Sequence, residues 1–490
     1  MNKPLRANLV SRLSRGDSLS PFVRFQLLVL ISMYIGYAAL MLCRNTLAAC
    51  SVQMMQDPTL DIDEASYGHL MAWHSAGAIM GKLVTGPGAD LLGGRRMFLL
   101  ALSLTAIANV GFAFSSTFTL FAAFNFFGQA AKAGGWPALV QLVRSWFPST
   151  RYGQVWSVIA TSSRVGTIAA GLLFGFLLTM LDWRSVFLVS AALTAGIVVL
   201  LYFTLKERPE DAGLPTLLDH ENESRNVTES NVTESNVTES SVTESSVTES
   251  SENELSESAD SDKKSRTVQH ALDQTTLWQA CMAFAQSGRF WLIGSSIVFL
   301  TVCMDFVHFI PAYLAAELEF SAASSSAAGT AFPMGMFAAL LITSFYYDRL
   351  SKLQLIGVIG CQLLFSSAAV LLLWRLDVVP ESIQAEVAIT TIFLLGLAIS
   401  PAYYVPMSVF SVAFGGKHAG FLVAVIDIFG YAAAILFNYF GGTIAKDHGW
   451  PTFLSILLAV TLLATICMVS FLLLDWKATN ASNRFEDKRV

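Results

Sequence analysis

Long, nearly uncharged apolar segments are the feature that most restricts the fold of this chain. A membrane-spanning helix needs about 20 mostly apolar residues, since lipid offers no partners for backbone polar groups. Charged residues are only 13% of the 490 residues and apolar residues are 54%, too few charges for a water-soluble surface. We therefore predict an all-α polytopic membrane protein with twelve transmembrane helices in two six-helix bundles. The predicted spans are about 22–50, 66–86, 97–115, 118–144, 153–180, 184–205, 290–315, 323–346, 353–375, 386–412, 417–442 and 450–474.

A polar stretch of about 80 residues divides the spans into two groups of six. It contains Asn-Val-Thr-Glu-Ser three times (226–240) and Ser-Val-Thr-Glu-Ser twice (241–250). This composition has too few large apolar side chains to form a buried core, so we predict that the stretch is disordered. It acts either as a simple tether between the halves or as a regulatory segment. The predicted parts are a cytoplasmic N-terminus (1–21), an N-terminal six-helix bundle (22–205), a disordered cytoplasmic linker (206–289), a C-terminal six-helix bundle (290–474) and a cytoplasmic C-terminus (475–490).

The distribution of charge predicts the orientation in the membrane. Lys and Arg accumulate in the cytoplasmic loops of membrane proteins. With both termini in the cytoplasm, 24 of the 30 Lys and Arg residues lie in cytoplasmic segments or at cytoplasmic helix ends. We therefore expect an integral protein of a plasma membrane or bacterial inner membrane, with both termini cytoplasmic. The net charge of −6 does not indicate an acidic site, because residues 207–262 contribute −14 and the rest of the chain +8.

Four cationic side chains accompany the spans of the first half. Arg44, Lys132 and Arg164 lie within predicted spans, and Lys82 lies near the end of one. A bare cation at the bilayer centre costs at least roughly 2.5–3.5 kcal/mol, so it usually faces a cavity and a partner. By position alone, Arg44 and Lys82 can equally extend to the polar faces of the membrane. The excess of cations favours an anionic substrate.

Asp305, His308 and Asp427 are ionisable residues in the spans of the second half. Asp305 and His308 are three residues apart and therefore share a helix face. Three interpretations are open: Asp305 pairs with Arg164 or Lys132 across a cavity, Asp305 and His308 couple transport to protons, or both only line the cavity. Asp427 is expected to act in coupling or in charge pairing across the two halves.

Several motifs resemble a known family of carriers. The loop Gly86…Asp90…Gly93-Gly94-Arg95-Arg96 resembles the loop signature of the major facilitator superfamily, with Leu91 where a base is usual. Within it, the chain resembles the organophosphate:inorganic phosphate antiporters, which include glycerol-3-phosphate and hexose-phosphate carriers. This resemblance is carried by residues 36–45 (GYAALMLCRN), 134–137 (GGWP), 144–147 (RSWF), 209–215 (PEDAGLP) and 416–450. It implies two six-helix halves that alternate access to a site at the membrane midplane.

The resemblance also implies a phosphate site. Arg44 matches one of two arginines that hold the substrate phosphate in this family, and the planar guanidinium fork suits an oxyanion. The position of the second arginine is Cys303 here, whereas Arg164 is an additional cation in the fifth span. Lys82 matches a lysine on the substrate path of some relatives, and Tyr37 either lines the pocket or packs between helices. The predicted substrate-binding residues are Arg44, Lys132, Arg164, Tyr37 and Lys82.

Two groups of residues have a predicted role in helix arrangement. By analogy with the superfamily, Asp90, Arg95 and Arg96 are expected to form a conformational latch by charge pairing with neighbouring helix ends. Small residues allow helices to approach closely in membranes. Close helix contact is accordingly the role expected for Gly166, Gly171 and Gly175.

The sequence contains no phosphate loop of the form GxxxxGK[ST], no CxxC pair and no spacing typical of a metal site or a catalytic nucleophile. We therefore expect neither an enzyme nor a cofactor nor a nucleic-acid partner. The predicted function is secondary active transport of a small organic anion, with a phosphorylated metabolite exchanged for inorganic phosphate as the leading hypothesis. A proton-coupled carrier of a non-phosphate organic anion and a transporter-like ligand sensor remain open. The expected partners are a small anionic solute, phosphate or a proton as coupling species, and the lipid bilayer.

Overall fold

The computed structural model describes residues 21–148, 151–216, 276–346, 349–415 and 418–486, where all regular secondary structure is helical. The repeats at 226–250, and the chain before residue 21 and after residue 486, lie outside the described residues. The disorder predicted for the repeats therefore stays a prediction. The predicted linker was too long at its end, because Leu277–Ala285 is helical within it. Ala280 and Phe284 of this helix are buried, so apolar packing holds the segment against the second half.

In the described residues, the first half contains seven α-helices. Its fourth predicted span is two helices, since α4 ends at Lys132 and α5 begins at Gly135. The helices are α1 (Pro21–Met55), α2 (Glu64–Leu92), α3 (Gly94–Ala113), α4 (Phe118–Lys132), α5 (Gly135–Trp146), α6 (Tyr152–Leu177) and α7 (Trp183–Thr204).

The second half contains eight helices in the described residues. They are α8 (Leu277–Ala285), α9 (Gly288–Asp305), α10 (Ile310–Leu318), α11 (Ala322–Gly329), α12 (Ala331–Tyr346), α13 (Lys352–Trp374), α14 (Glu381–Gly415) and α15 (Ala419–Glu486). The seventh predicted span is interrupted by a 3₁₀ turn, Phe306–His308. Pro311 explains the interruption, because its ring lacks an N–H and clashes with the carbonyl four residues earlier.

Each of the twelve predicted spans has a helical counterpart. By length and hydropathy, nine helices of the described residues are able to cross a membrane. One of them, Phe421–Ala478, covers the last two predicted spans, which are separated at Gly449 by a positive φ of 78°. The second and fourth predicted spans correspond to α2 and to the α4–α5 pair.

The two halves meet along two seams, α2 against α15 and α6 against α11. Both seams contain glycines at close contacts. A Cβ on Gly68 of α2 would lie 2.8 Å from the Cα of Gly442 on α15. On α6, a Cβ on Gly171 would lie 3.1 Å from the backbone oxygen of Ser326 of α11. A Cβ on Gly175 would lie 2.9 Å from the backbone oxygen of Ala323 of the same helix. The close helix contact predicted for these α6 glycines is confirmed, and Gly166 packs equally closely on α1.

These close contacts lie at one end of the molecule. We name the membrane face where α1 begins the N-terminal face, and the face where α1 ends the opposite face. Gly68 lies four residues after the start of α2, and Gly175 lies near the end of α6. Since α2 starts where α1 ends, both contacts lie towards the opposite face. An ion pair between Lys446 of α15 and Asp63, which caps α2, adds to this contact, with 2.6 Å from Nζ to Oδ2.

Candidate functional site

Arg44 of α1 lies among polar side chains of the first half. It lines a pocket together with Asn109 of α3 and Asn125 and Gln129 of α4. Its Nε atom is buried and has no hydrogen-bond partner within the part of the chain that the structure describes. The half-buried guanidinium therefore retains a donor that is unused in this structure.

Arg164 lies on α6, which forms the seam with α11. Its Nη1 atom donates a hydrogen bond of 2.7 Å to the Ser163 hydroxyl, and its Nε is buried without a partner among the described residues. The guanidinium carbon lies 4.7 Å from the centre of the Tyr404 ring on α14, so a cation–π contact joins the halves. Tyr37 of α1 is within electrostatic range of both Arg44 and Arg164, and its ring packs edge-on against Trp136 at 5.6 Å.

Lys132 is the last residue of α4, because the α4–α5 span is interrupted after it. Its Nζ donates a hydrogen bond to Gln129 Oε1 at 3.3 Å. The positive charges of Arg44 and Lys82 both act on Lys132 electrostatically. Arg44 and Lys82 are thus both within electrostatic range of Lys132, and we call these three residues the cation cluster.

Lys82 and Asp427 form an ion pair between the halves. The distance from Nζ on α2 to Oδ2 on α15 is 2.5 Å. The Lys82 ammonium also lies 4.5 Å from the centre of the Tyr431 ring, one helical turn after Asp427. The side chains of Lys82 and Asp427 are 40% and 29% exposed, so the protein does not fully enclose this pair.

Asp305 is bound by an amide and not by a cation. Asn438 of α15 donates a hydrogen bond of 2.8 Å to Asp305 Oδ2 and contacts the Ser75 hydroxyl of α2 at 3.3 Å. The predicted pairing of Asp305 with Arg164 or Lys132 is not formed in the described residues. Arg44 is the cation within electrostatic range of the Asp305 carboxylate. The reason is positional, since Asp305 ends α9 beside α15, which supplies Asn438 at hydrogen-bond distance.

His308 is buried at the interface between the halves. Its ring centre lies 5.6 Å from that of His74 on α2, and its backbone oxygen accepts a hydrogen bond of 2.6 Å from the Tyr67 hydroxyl. No hydrogen bond between His308 and Asp305 is found in the described part of the chain. The proton-coupling role of Asp305 and His308 stays a prediction.

Cys303 occupies the position implied for a second phosphate-binding arginine. It is buried, and its sulfur lies 3.4 Å from the Thr461 hydroxyl of α15. Both partners belong to the second half, so the thiol is accommodated by packing within that half.

The predicted latch loop is bound to the end of α7 within the first half. Arg95 donates hydrogen bonds of 2.7 Å to the backbone oxygens of Leu205 and Tyr202, so it binds carbonyls and not a carboxylate. The Glu207 carboxylate accepts hydrogen bonds from the N–H groups of Gly94 and Arg95 at the start of α3. Arg96 is exposed, and the Asp90 side chain lies outside the described residues. The latch function stays a prediction.

Five contributors to the site were not singled out from the sequence. An uncharged polar residue in the middle of a span is a signal that could have indicated Asn438, and an acid next to a helix N-terminus could have indicated Glu207. The tyrosines carry no such signal, because aromatic residues are common in any span. The five residues are Ser75, Glu207, Tyr404, Tyr431 and Asn438.

Comparison with known proteins identifies the family. Residues 33–374 match the model of the Major Facilitator Superfamily. The chain belongs to this superfamily. Superfamily members are transporters, so the protein is an integral membrane protein of transporter type and not an enzyme.

One relative of this superfamily member is named for hexose phosphate transport, and another is named as a membrane sensor. The "Probable hexose phosphate transport protein" of Chlamydia trachomatis serovar D is 23% identical over 93% of this chain and 92% of its own length. The "Membrane sensor protein UhpC" of Salmonella typhimurium is 23% identical over 41% of this chain and 45% of its own length. The resemblance to organophosphate:phosphate antiporters is thereby confirmed.

A solved structure supports the superfamily fold. The crystal structure of the nucleoside transporter NupG aligns with a TM-score of 0.64, covering 91% of this chain and 99% of that chain. The sequence identity is 14%, so this likeness concerns the fold alone.

Proposed function

We propose that the protein is a secondary active transporter that exchanges a phosphorylated metabolite for inorganic phosphate by alternating access. The observation that carries the proposal is the cation cluster of Arg44, Lys132 and Lys82, together with the unused Nε donor of Arg44. The relatives named for hexose phosphates support the same substrate class.

A phosphate group suits the cation cluster better than a single carboxylate does. Its several oxygens can accept the parallel donors of Arg44 while others contact Lys132 or Lys82. A pair of opposite charges 4 Å apart gains about 4 kcal/mol at an effective dielectric constant of about 20, before desolvation is counted. A dianion makes this gain with more than one cation, which offsets their mutual repulsion. Arg164 and Tyr37 lie at the edge of the same region and would contact the rest of the anion.

The two seams define the movement that transport requires. In this structure the halves are in close contact towards the opposite face, through Gly68 with Gly442 and through the Asp63–Lys446 ion pair. We therefore propose access to the cation cluster from the N-terminal face. Release on the opposite side requires the seams to separate there and the halves to rock about the site.

The orientation in the membrane belongs to the same proposal. Both termini are placed in the cytoplasm of a plasma or bacterial inner membrane, because the Lys and Arg residues concentrate on that side. Protease digestion of intact and permeabilised cells, with a tag at the C-terminus, tests this placement. Cleavage of the tag in intact cells contradicts it.

Exchange in proteoliposomes tests the transport proposal. Vesicles are loaded with radiolabelled phosphate and diluted into buffer that contains glucose 6-phosphate, glycerol 3-phosphate or no anion. We expect an external sugar or glycerol phosphate to accelerate the release of internal phosphate, while a pH gradient alone drives no comparable uptake. Uptake that follows the pH gradient and ignores phosphate compounds contradicts the exchange mechanism.

That contradictory outcome would support the second candidate, a proton-coupled carrier of a non-phosphate organic anion. The observation that favours it is the Asp305 carboxylate, held by Asn438 between the halves within range of the Arg44 charge. In this mechanism Asp305 and His308 would take up the proton. Asp305→Asn is then expected to abolish pH-driven uptake.

A ligand sensor is the third candidate, favoured by the partial match to UhpC. A sensor binds its ligand without moving it across the membrane. Binding of sugar phosphate to the purified protein without any counterflow in vesicles would support a sensor and exclude a carrier.

A further inference from the structure

The Lys82–Asp427 pair differs from the other ion pairs of the described residues in its position. Three of the others lie within the second half, namely Arg289–Asp475, Lys352–Asp475 and Arg375–Asp377, and Lys446–Asp63 lies at the opposite face. Lys82–Asp427 alone among them joins the halves at a residue of the cation cluster.

The geometry indicates that Asp427 occupies a place that a substrate anion can also take. Its carboxylate oxygen is in direct contact with the Lys82 ammonium at 2.5 Å, where the oxygen of a bound anion would also make a charge-assisted hydrogen bond. Both side chains are partly exposed, and the Tyr431 ring lies beside the ammonium at 4.5 Å. A phosphate oxygen that reaches Lys82 from the N-terminal face therefore competes with an anion that belongs to the protein.

This competition bears on how the empty carrier moves. A carrier performs strict exchange when its unoccupied cationic site hinders reorientation, since unpaired charges in a low-dielectric interior are costly. A carboxylate from the second half that neutralises Lys82 lowers this cost for the empty protein. Of the other two cluster cations, Arg44 acts on a second carboxylate of the same half, Asp305, and Lys132 donates to the Gln129 side chain. Carboxylates of the second half therefore offset two of the three cluster cations in the empty carrier.

We propose that Asp427 replaces the substrate anion on Lys82 in the empty carrier and thereby permits a further activity, net transport of the anion without a counter-anion. When phosphate binds, its oxygen displaces the Asp427 carboxylate from the ammonium; when phosphate leaves, the carboxylate returns and the empty halves reorient. This inference rests on the proposed phosphate exchange and adds a second, slower mode to it.

Net efflux and exchange are separable in one vesicle preparation. The full-length protein is reconstituted, the vesicles are loaded with radiolabelled inorganic phosphate, and release is measured into buffer with or without external phosphate. Wild-type protein is expected to release phosphate in both buffers. Asp427→Asn is expected to lower the ratio of net efflux to exchange at least about tenfold, whereas Asp427→Glu retains it.

Asp475→Asn is the matched control, because Asp475 belongs to the same half, in the span that follows the kink at Gly449, and is also ion-paired, at 3.1 Å from Arg289. Its ratio of net efflux to exchange is expected to equal that of wild type. If Asp427→Asn does not fold, the wild-type measurement still decides the matter, since the proposal requires net efflux from the unaltered protein.

Three results would overturn the inference. Wild-type protein that exchanges phosphate but shows no net efflux refutes it and leaves the proposed exchange intact. An unchanged ratio in Asp427→Asn refutes the role of the carboxylate. Wild-type protein that neither exchanges nor releases phosphate refutes the proposed function together with this inference.

Discussion

Replacing Gly68 by alanine is expected to weaken the seam that closes the opposite face. The added Cβ would contact the backbone oxygen of Asn438 and would lie 2.8 Å from the Cα of Gly442, whereas ordinary contact begins at 3.4 Å. The two helices α2 and α15 would therefore have to separate by at least about 0.6 Å here, and backbone atoms cannot turn away as a flexible side chain can.

Overpacking of this kind typically costs about 1–3 kcal/mol. The cost falls on the conformation in which the seam is closed, since the helices separate at this point when the opposite face opens. A free-energy difference of this size changes the ratio of two conformations about 5- to 150-fold. Gly68→Ala is therefore expected to shift the population towards the conformation that is open at the opposite face.

Electron paramagnetic resonance measures this shift. Spin labels on cysteines introduced at Thr59 and Asp447, both exposed near the opposite face, report the distance between the halves, once the accessible native cysteines are replaced by serine. Gly294→Ala is the control, because a Cβ on Gly294 meets nothing within 4 Å. If Gly68→Ala and Gly294→Ala have the same distance distribution and transport rate, the assignment of the seam is wrong.

Three further predictions concern the site, the linker and pH. Arg44→Lys is expected to abolish transport while expression persists, because an ammonium lacks the planar fork; near-normal uptake would remove Arg44 from the site. Deletion of residues 222–262 is expected to leave uptake intact, because the composition of the repeats cannot form a packed core. Loss of uptake in the deletion variant would show that the linker is needed for transport. Partial burial opposes ionisation of Asp63, but hydrogen bonds from Lys446 and Ser66 outweigh it and lower the pKa of Asp63 to about 2. Because the pKa of Asp63 is lowered, its ion pair with Lys446 stabilises the seam at pH values above the ordinary carboxyl pKa of 3.8. This stabilisation is lost as the pH falls towards 2. Asp63 therefore stays ionised from pH 5 to 8, and Asp63→Asn should leave the shape of the uptake–pH profile in that range unchanged; a flattened profile in vesicle uptake would contradict this.

The helical architecture was predictable because lipid imposes a local requirement. A segment either has about 20 apolar residues or it cannot span, and this is visible in the sequence without knowledge of any neighbour. The breaks inside spans were less visible. Pro311 lies four residues after Val307 in the break that follows Asp305, and Pro137 lies four residues after Ala133 in the break that follows Lys132. A proline disturbs the helix four residues before it, but this signal alone does not tell a bend from the end of a helix.

The charged residues of the candidate site were predictable from the sequence, but their partners were not. Intramembrane charge alone drew attention to Arg44, Lys132 and Arg164, because charges are rare and costly in spans. The partners of these charges depend on which helices meet. Pairing of Asp305 with Arg164 or Lys132 was one of three open interpretations, and Asp305 is hydrogen-bonded by Asn438, 133 residues further along the chain.

By itself, the sequence determined the membrane-embedded helical fold, the division into two halves and the excess of cations in the first half. Each of these depends on composition within a short stretch of chain. The tertiary structure decided that Lys82 faces Asp427 across the halves and that Gly68 and Gly442 close one face. Both are contacts between residues more than 300 positions apart, and such pairings are set by the packing of whole helices and not by the residues on either side of them.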